Sequence, residues 1–208
     1  MYDAVIWDFG GVLTTSPFEA FARYEREHGL PPDFLRGVNA VNHLENAWAR
    51  LERGEMDQDG FDALFAEESR AMGHEVRGKA LLPLLIGDTR PEMVEALRRV
   101  GARLKTGCIT NNILETRGGG ERAIYKPEIM ALFDEVIESA KAGLRKPDPR
   151  IYALMADRLG VSPARCVYLD DLGVNLKPAR ALGMHTIKVV DPATALAELE
   201  AAVGFPLR

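Results

Sequence analysis

The chain is short of several things, and each shortage removes a class of protein. Only two cysteines stand among its 208 residues. Cys108 and Cys166 are far apart, each in an apolar stretch, and neither has a second Cys or a His at metal-ligand spacing. This argues against a disulfide scaffold and against a structural zinc site, and fits a reduced, cytoplasmic protein. The histidines, His28, His43, His74 and His185, show no ligand spacing either. Apolar runs stay far below the ~18 residues that a membrane span needs, so no membrane partner is expected. The N-terminus, Met1-Tyr2-Asp3-Ala4, lacks a basic region ahead of an apolar run, and no signal peptide is expected. Basic residues are not in excess: 26 Lys and Arg against 31 Asp and Glu give a net charge of -5. That balance disfavours a nucleic-acid partner.

What is present is an ordinary globular mixture, 47% apolar and 27% charged, able to bury a real core. The length fits one large domain, or a core domain carrying a smaller insert. Ala4-Val5-Ile6-Trp7 is a short apolar run that ends in Asp8 and a Gly-Gly pair, which reads as a buried strand entering a tight loop. From Phe18 to about Gly87 the period is helical. Phe18, Phe21, Ala22 and Tyr24 share one helix face; Leu44, Ala47, Trp48 and Leu51 share another, closed by Gly54. Phe61, Leu64, Phe65 and Glu68 share a third, capped by Asp57 or Asp59. No strand is evident in this block, and Trp48 and Phe65 read as its core.

After Gly87 strands and helices alternate. Helices are expected from Pro91 to Val100 with Gly101 as cap, from Pro149 to Leu159 ended by Gly160, from Val174 to Leu182, and from Ala193 to Val203. Strands are expected at Arg103–Ile109, Phe133–Ile137, Cys166–Leu169 and Thr186–Val190. Gly118-Gly119-Gly120 reads as a loop. Such alternation is the signature of a doubly wound parallel α/β sheet. The expected organisation is therefore a core of residues 1–15 and 88–208, with an all-helical block, 16–87, inserted after the first strand.

Open α/β sheets bind ligands beyond the carboxyl ends of their strands. Those ends carry Asp8, then Thr110 with Asn111, then Asp170 with Asp171; a loop adds Lys146. Carboxylates converging on one edge repel each other unless positive charge lies among them, and Mg²⁺ with a lysine would supply it.

These residues carry a family resemblance. Asp8-Phe9-Gly10-Gly11-Val12-Leu13, Ile109-Thr110-Asn111-Asn112, Lys146-Pro147-Asp148-Pro149 and Leu169-Asp170-Asp171 resemble, in order, the four motifs of the haloacid dehalogenase (HAD) superfamily. The helical block resembles that superfamily's cap on a Rossmann-like core. The likeness spans essentially the whole chain. It is closest to the phosphatase domain at the N-terminus of soluble epoxide hydrolase and to its stand-alone bacterial relatives, above all along Leu169–Arg180. No nucleophile elbow of an epoxide hydrolase is present.

The resemblance implies a Mg²⁺-dependent phosphatase acting on a small phosphorylated molecule, as a monomer or homodimer. Asp8 would attack phosphorus and form an aspartyl-phosphate. Asp8, the carbonyl of Gly10 and Asp171 would hold Mg²⁺, with Asp170 orienting metal-bound water from behind. Thr110 and the Asn111 amide would bond phosphate oxygens, as would the backbone N–H groups of Phe9 and Gly10. Lys146 would bridge Asp8 and the phosphate. Thr14, Thr15 and Phe18 would flank the pocket, whereas Asn175 and Lys177 would organise the loop and helix after the acidic pair. His43 lies in the cap and reads first as a surface or helix-start residue, with reach toward the substrate as the alternative; Cys108 reads as a buried small apolar residue.

One departure stands out. The superfamily's phosphatases usually carry a second aspartate two residues after the nucleophile, which protonates the leaving oxygen and then activates water. Here that position is Gly10. Two other readings follow from it: a 2-haloacid dehalogenase, which needs no such acid, and a non-catalytic protein that binds a phosphorylated ligand. The adjacent Asp170 and Asp171 weigh against the first, and the intact Asp8 and Lys146 against the second.

Overall fold

In a computed structural model, which describes residues 1–113 and 126–208, one parallel sheet has five strands. They are β1 (Ala4–Trp7), β2 (Lys105–Thr110), β3 (Glu135–Glu138), β4 (Cys166–Asp170) and β5 (His185–Lys188), in the order β3-β2-β1-β4-β5. Every residue of β1 is buried, as a central parallel strand covered on both faces requires. Alternate residues of β1 enter different cores. Val5 and Trp7 pack with α5 (Pro91–Gly101) and α10 (Pro192–Val203) through Met93, Leu97, Leu196 and Leu199. Ala4 and Ile6 pack with α8 (Pro149–Leu159) and α9 (Gly173–Ala181) through Ile151, Tyr152, Met155 and Leu176. The chain leaves β1 toward β2 on one side and returns to β4 on the other, so the strand order reverses beside β1. Ligands of doubly wound sheets bind at such a reversal.

Between β1 and β2 lie α1 (Pro17–Glu27), α2 (Phe34–Ala40), α3 (Ala47–Glu52) and α4 (Gln58–Ala71), with two short 3-10 turns after them. They enclose a separate core of Phe21, Leu35, Trp48, Phe61, Phe65 and Leu81. Trp48 meets Phe61 edge-on with ring centroids 4.7 Å apart. The insert joins the sheet through two antiparallel connections. Thr14 bridges Thr89, and the Thr15 N–H donates to the Asp88 carbonyl at 2.8 Å.

Several expected boundaries shift. The helix anticipated from Leu44 begins only at Ala47. Asn46 caps it, accepting from the Ala49 N–H at 2.9 Å while its own amide donates to the Asn39 and Val41 carbonyls. Leu44 lies outside the helix and is exposed. Asp57, not Asp59, caps α4. Gly101 is the last residue of α5 rather than its cap. β2 and β3 start two residues later than anticipated, and β5 one residue earlier. The helix α2 and the short α6 (Pro127–Met130) and α7 (Ser139–Ala142) were not anticipated. Gly118–Gly120 falls outside the described residues. Both cysteines are buried and free, and burial pushes the Cys166 thiol up to about 11. No described helix is long and apolar enough to cross a membrane.

Candidate active site

The Asp8 N–H still pairs with the Leu169 carbonyl at 2.8 Å, so Asp8 leaves β1 in register with β4. The chain then folds over the Phe9 carbonyl, which accepts from the N–H groups of Leu13 and Thr14 at 2.9 and 3.2 Å. This turn presents the Asp8 carboxylate at the strand reversal. Its Oδ1 accepts from the Phe9 N–H at 2.7 Å and from Lys146 Nζ at 2.7 Å.

Lys146 is the buried cation of the site, with only 1% of it exposed. Its ammonium also donates to Asp170 Oδ2 at 2.8 Å. Burial alone would depress its pKa, but the charges of Asp170 and Asp8 outweigh that and hold it protonated well above the ordinary lysine range. The Lys146 backbone is gripped by Asn111. The carboxamide accepts from the Lys146 N–H at 2.8 Å and donates to the Lys146 carbonyl at 3.1 Å.

Asp170 is fully buried and heavily engaged. Besides Lys146 it accepts from the Tyr168 hydroxyl, from the Leu172 N–H at 2.8 Å and from Asn175 Nδ2 at 3.0 and 3.1 Å. Asn175 in turn accepts from the Tyr152 hydroxyl at 2.8 Å, whereas Lys177 is exposed on α9. Burial, then the charge of Asp170, keeps the Tyr168 phenol protonated as a donor.

Asp171 faces the other way. Its Oδ2 accepts from Ser16 Oγ at 3.2 Å, where the chain enters the insert. Burial, followed by the Asp170 charge, pushes its carboxyl up to about 6. Burial also raises the Asp8 carboxyl, against the pull of Lys146. Gly11 makes room for Asp171: at φ +78 it is in the left-handed region, and a Cβ there would lie 2.3 Å from Asp171 Oδ2.

Carboxylate oxygens of Asp8, Asp170 and Asp171 lie within 4.8 Å of one another. Three carboxylates against one lysine leave uncompensated negative charge, and an all-oxygen donor set suits a hard divalent cation such as Mg²⁺. The residues present therefore fit that ion.

Above this edge is a cavity of about 540 Å³. Asp8, Phe9, Gly10, Thr110, Asn111, Lys146 and Asp171, all singled out from the sequence, line it together. Thr14 and Phe18 line it too, while Thr15 sits in the connection to the insert. Asp170 is not on the wall; it lies beneath Lys146. Much of the insert side is apolar, contributed by Phe18, Phe21, Trp48 and Leu85, with Ile113 from the segment after β2 packed against them. Sequence reasoning missed three contributors: Tyr168, Glu52 and Arg145. Only Arg145, next to Lys146, carried any signal.

The central strand of a doubly wound sheet thus ends in a buried aspartate paired to a lysine, beside carboxylates fit for a hard cation. The haloacid dehalogenase-like hydrolase model matches residues 2–183, and the chain belongs to that family. Over 99% of its length it is 37% identical to acyl-CoA dehydrogenase family member 10 of Mus musculus, of which it covers 20%. It is 34% identical, over 98% of its length, to bifunctional epoxide hydrolase 2 of Sus scrofa, of which it covers 39%. The chain thus spans well under half of these two relatives. A phosphatase of Mycobacterium tuberculosis is closer in size: 37% identical, with 89% of this chain and 86% of that protein covered. Among solved structures, a HAD family enzyme from Bacteroides thetaiotaomicron, in complex with magnesium and inorganic phosphate, has TM-score 0.58 and 19% identity, covering 90% and 94% of the two chains. L-2-haloacid dehalogenase from Xanthobacter autotrophicus, with chloropropionic acid covalently bound, has TM-score 0.59 and 21% identity, covering 97% and 83%. At such identities these two structures share the fold, and the fold alone does not choose between their chemistries.

Proposed function

We propose that the chain is a Mg²⁺-dependent phosphomonoesterase whose nucleophile is Asp8. The supporting observation is the charge pattern: a carboxylate at the strand reversal, paired to a buried lysine, with a second carboxylate, Asp171, facing the same cavity. A dehalogenase needs no metal and has no use for that additional carboxylate. Asp8, the Gly10 carbonyl and Asp171 would hold Mg²⁺, which when bound neutralises the carboxylates and the phosphate.

The chain's own groups do the rest. An Asp8 oxygen attacks phosphorus, the bond to the leaving oxygen breaks, and an aspartyl-phosphate remains; water then attacks phosphorus and frees Asp8. Lys146 neutralises charge on the phosphoryl oxygens as it develops. The Asn111 carboxamide is committed to the Lys146 backbone. The part of Asn111 that serves phosphate is therefore its main-chain N–H, alongside Thr110 and the N–H groups of Phe9 and Gly10. Asp170, saturated with donors, holds Lys146, and with Mg²⁺ bound it would act on the ion through the groups around it. The helices of residues 16–87 act as a cap that excludes water, and their apolar wall favours a substrate whose alcohol portion is itself apolar.

Release of 4-nitrophenol from its phosphate ester tests this reading. Activity that disappears on chelation and returns with Mg²⁺ is expected; chloride release from 2-chloropropionate with no phosphatase activity would replace it with the dehalogenase reading. Mg²⁺ should also raise the Tm, by about 2–4 °C per kcal/mol of binding linkage. The pH dependence follows from Asp171. Its raised pKa means that, without metal, its contribution to stability is present in acid and lost as pH rises through about 6. The proton and Mg²⁺ compete for it, so the Mg²⁺-induced rise in Tm should be small at pH 5 and larger at pH 7.5. A rise that is equal at both values contradicts Asp171 as a ligand.

Gly10 sets the leaving-group preference. A Cβ built on it meets nothing within 4 Å, so the backbone there has room for the start of a side chain. General acid assistance is worth ~10²–10⁴-fold. Gly10→Asp should therefore raise kcat/KM on alkyl phosphates by about that factor, and on 4-nitrophenyl phosphate by little, since that leaving group needs no proton. An equal gain on both substrates in a folded variant rules out the missing acid as the limitation.

A further inference from the structure

Glu52 ends α3, and its side chain crosses from the insert to the sheet. One oxygen, Oε2, accepts from Asn111 Nδ2 at 3.0 Å and from Arg145 Nε at 2.7 Å. Arg145 also donates to the His43 carbonyl at 3.0 Å, a second point on the insert. Close by, Gly54, at φ +72, comes so near α7 that a Cβ would lie 2.6 Å from the Ala140 carbonyl oxygen. The insert is thus seated against the sheet along this edge of the cavity.

The residues that Glu52 holds are those that fix Lys146. Asn111 brackets the Lys146 backbone from both sides, and Arg145 directly precedes it. Glu52 and Arg145 are largely shielded, with 17% and 19% of their side chains exposed, so their pairing is weakly screened compared with a surface pair. Removing the carboxylate leaves Asn111 short of one acceptor and leaves Arg145, the residue just before the Asp8 partner, without a counter-charge.

We propose that Glu52 is a positioning residue that makes the placement of Lys146 depend on the cap being seated: cap closure delivers the carboxylate, the carboxylate fixes Asn111 and Arg145, and these fix Lys146. The inference rests on the phosphomonoesterase reading for the catalytic value of Lys146. Its geometric half, the link from Glu52 to the Lys146 loop, does not.

The test compares wild type, Glu52→Ala, Glu52→Gln and a control, Glu55→Ala, which removes an exposed insert carboxylate paired with Arg53. Steady-state hydrolysis of 4-nitrophenyl phosphate is measured with Mg²⁺, and backbone hydrogen exchange is followed in parallel. Glu52→Ala should lower kcat about 10-fold or more, since misplacing a catalytic group by ~1 Å costs up to ~10²-fold, with KM moved less than about threefold. Glu52→Gln still offers an oxygen to Asn111 and should recover much of that loss; Glu55→Ala should match wild type. Amides of residues 143–146 should exchange faster in Glu52→Ala, while those of α4 do not change. An unchanged kcat, or unchanged exchange at 143–146, overturns the proposal. If Glu52→Ala does not fold, Arg145→Gln removes the other half of the pair and must show the same fall in kcat. If wild type releases no 4-nitrophenol, the phosphomonoesterase reading fails, and the exchange data alone decide whether Glu52 orders the Lys146 loop.

Discussion

Asparagine in place of Asp8 is expected to cut 4-nitrophenyl phosphate turnover by about 10⁴-fold or more, the scale on which deleting a catalytic nucleophile acts, without loss of the fold. The carboxamide cannot attack phosphorus. It keeps the size and shape of the carboxylate, however, and an acceptor for the Phe9 N–H and for Lys146, which contact Oδ1 in the wild type. Burial already pushes the Asp8 carboxyl up, with the charges of Asp170 and Asp171 adding to it. A neutral side chain relieves that cost. Metal-free Asp8→Asn should therefore melt at the same temperature as wild type or higher near neutral pH, and the difference should shrink in acid, where the wild-type carboxyl takes up a proton. A variant that is inactive because it is unfolded would carry no weight; the unchanged or raised Tm is part of the expected result.

Methionine in place of Lys146 should damage both stability and chemistry. Met matches the unbranched stem and fills the buried space, but it leaves Asp8 and Asp170 facing each other without a cation. Removing one partner of a buried ion pair costs about 3–5 kcal/mol because the remaining charge is uncompensated, and here two carboxylates share the lysine. The raised pKa of Lys146 means that its contribution is fully present below the ordinary lysine pKa, which covers the whole range from pH 5 to 8. In the variant, protonation of Asp8 offsets part of the loss in acid. Urea unfolding should therefore show a larger deficit at pH 8 than at pH 5. Turnover should fall by about 10²–10³-fold, the usual effect of removing one electrostatic stabiliser of a transition state. A deficit below about 1 kcal/mol at pH 8 would mean that Lys146 is not the counter-charge of the site.

Much of this was legible in the sequence because the active edge of a parallel sheet is written at its strand ends. The fully apolar run Ala4–Trp7 is what a strand covered on both faces needs, and the polar residues that halt such runs, Asp8, Thr110 and Asp170, fall at the carboxyl edge. The alternation of strands and helices pointed to the class of fold, and the strand ends bring most of the residues of interest to one cavity. What was not legible depends on tertiary contact. α2 contains Gly37 and follows Pro31-Pro32, so its local preference is weak, and it is held by burying Phe34, Leu35 and Val38. Asn46 caps the helix and starts it at Ala47, which leaves Leu44 outside a period it matches in the sequence. Glu52 looks like any charged residue near a helix end; only the approach of insert to sheet gives it Asn111 and Arg145. Tyr168 reads as one more buried strand residue until its hydroxyl is found on Asp170. Asp170 and Asp171 are neighbours in sequence yet point into different surroundings, one the last residue of β4 and saturated by donors, the other just past the strand and open to the cavity.

If Asp8 is the nucleophile and Gly10 supplies no base for the second step, the aspartyl-phosphate should form faster than it is hydrolysed when the leaving group is good. Rapid-quench kinetics with 4-nitrophenyl phosphate and Mg²⁺, combined with borohydride trapping and peptide mass spectrometry, read this out. The expected result is a burst of 4-nitrophenolate approaching one equivalent of enzyme, with the reduced adduct at position 8, and neither burst nor adduct in Asp8→Asn. Gly10→Asp should shrink the burst by speeding hydrolysis. Steady turnover with no burst and no adduct at Asp8, continuing undiminished in Asp8→Asn, would contradict the covalent route through this carboxylate.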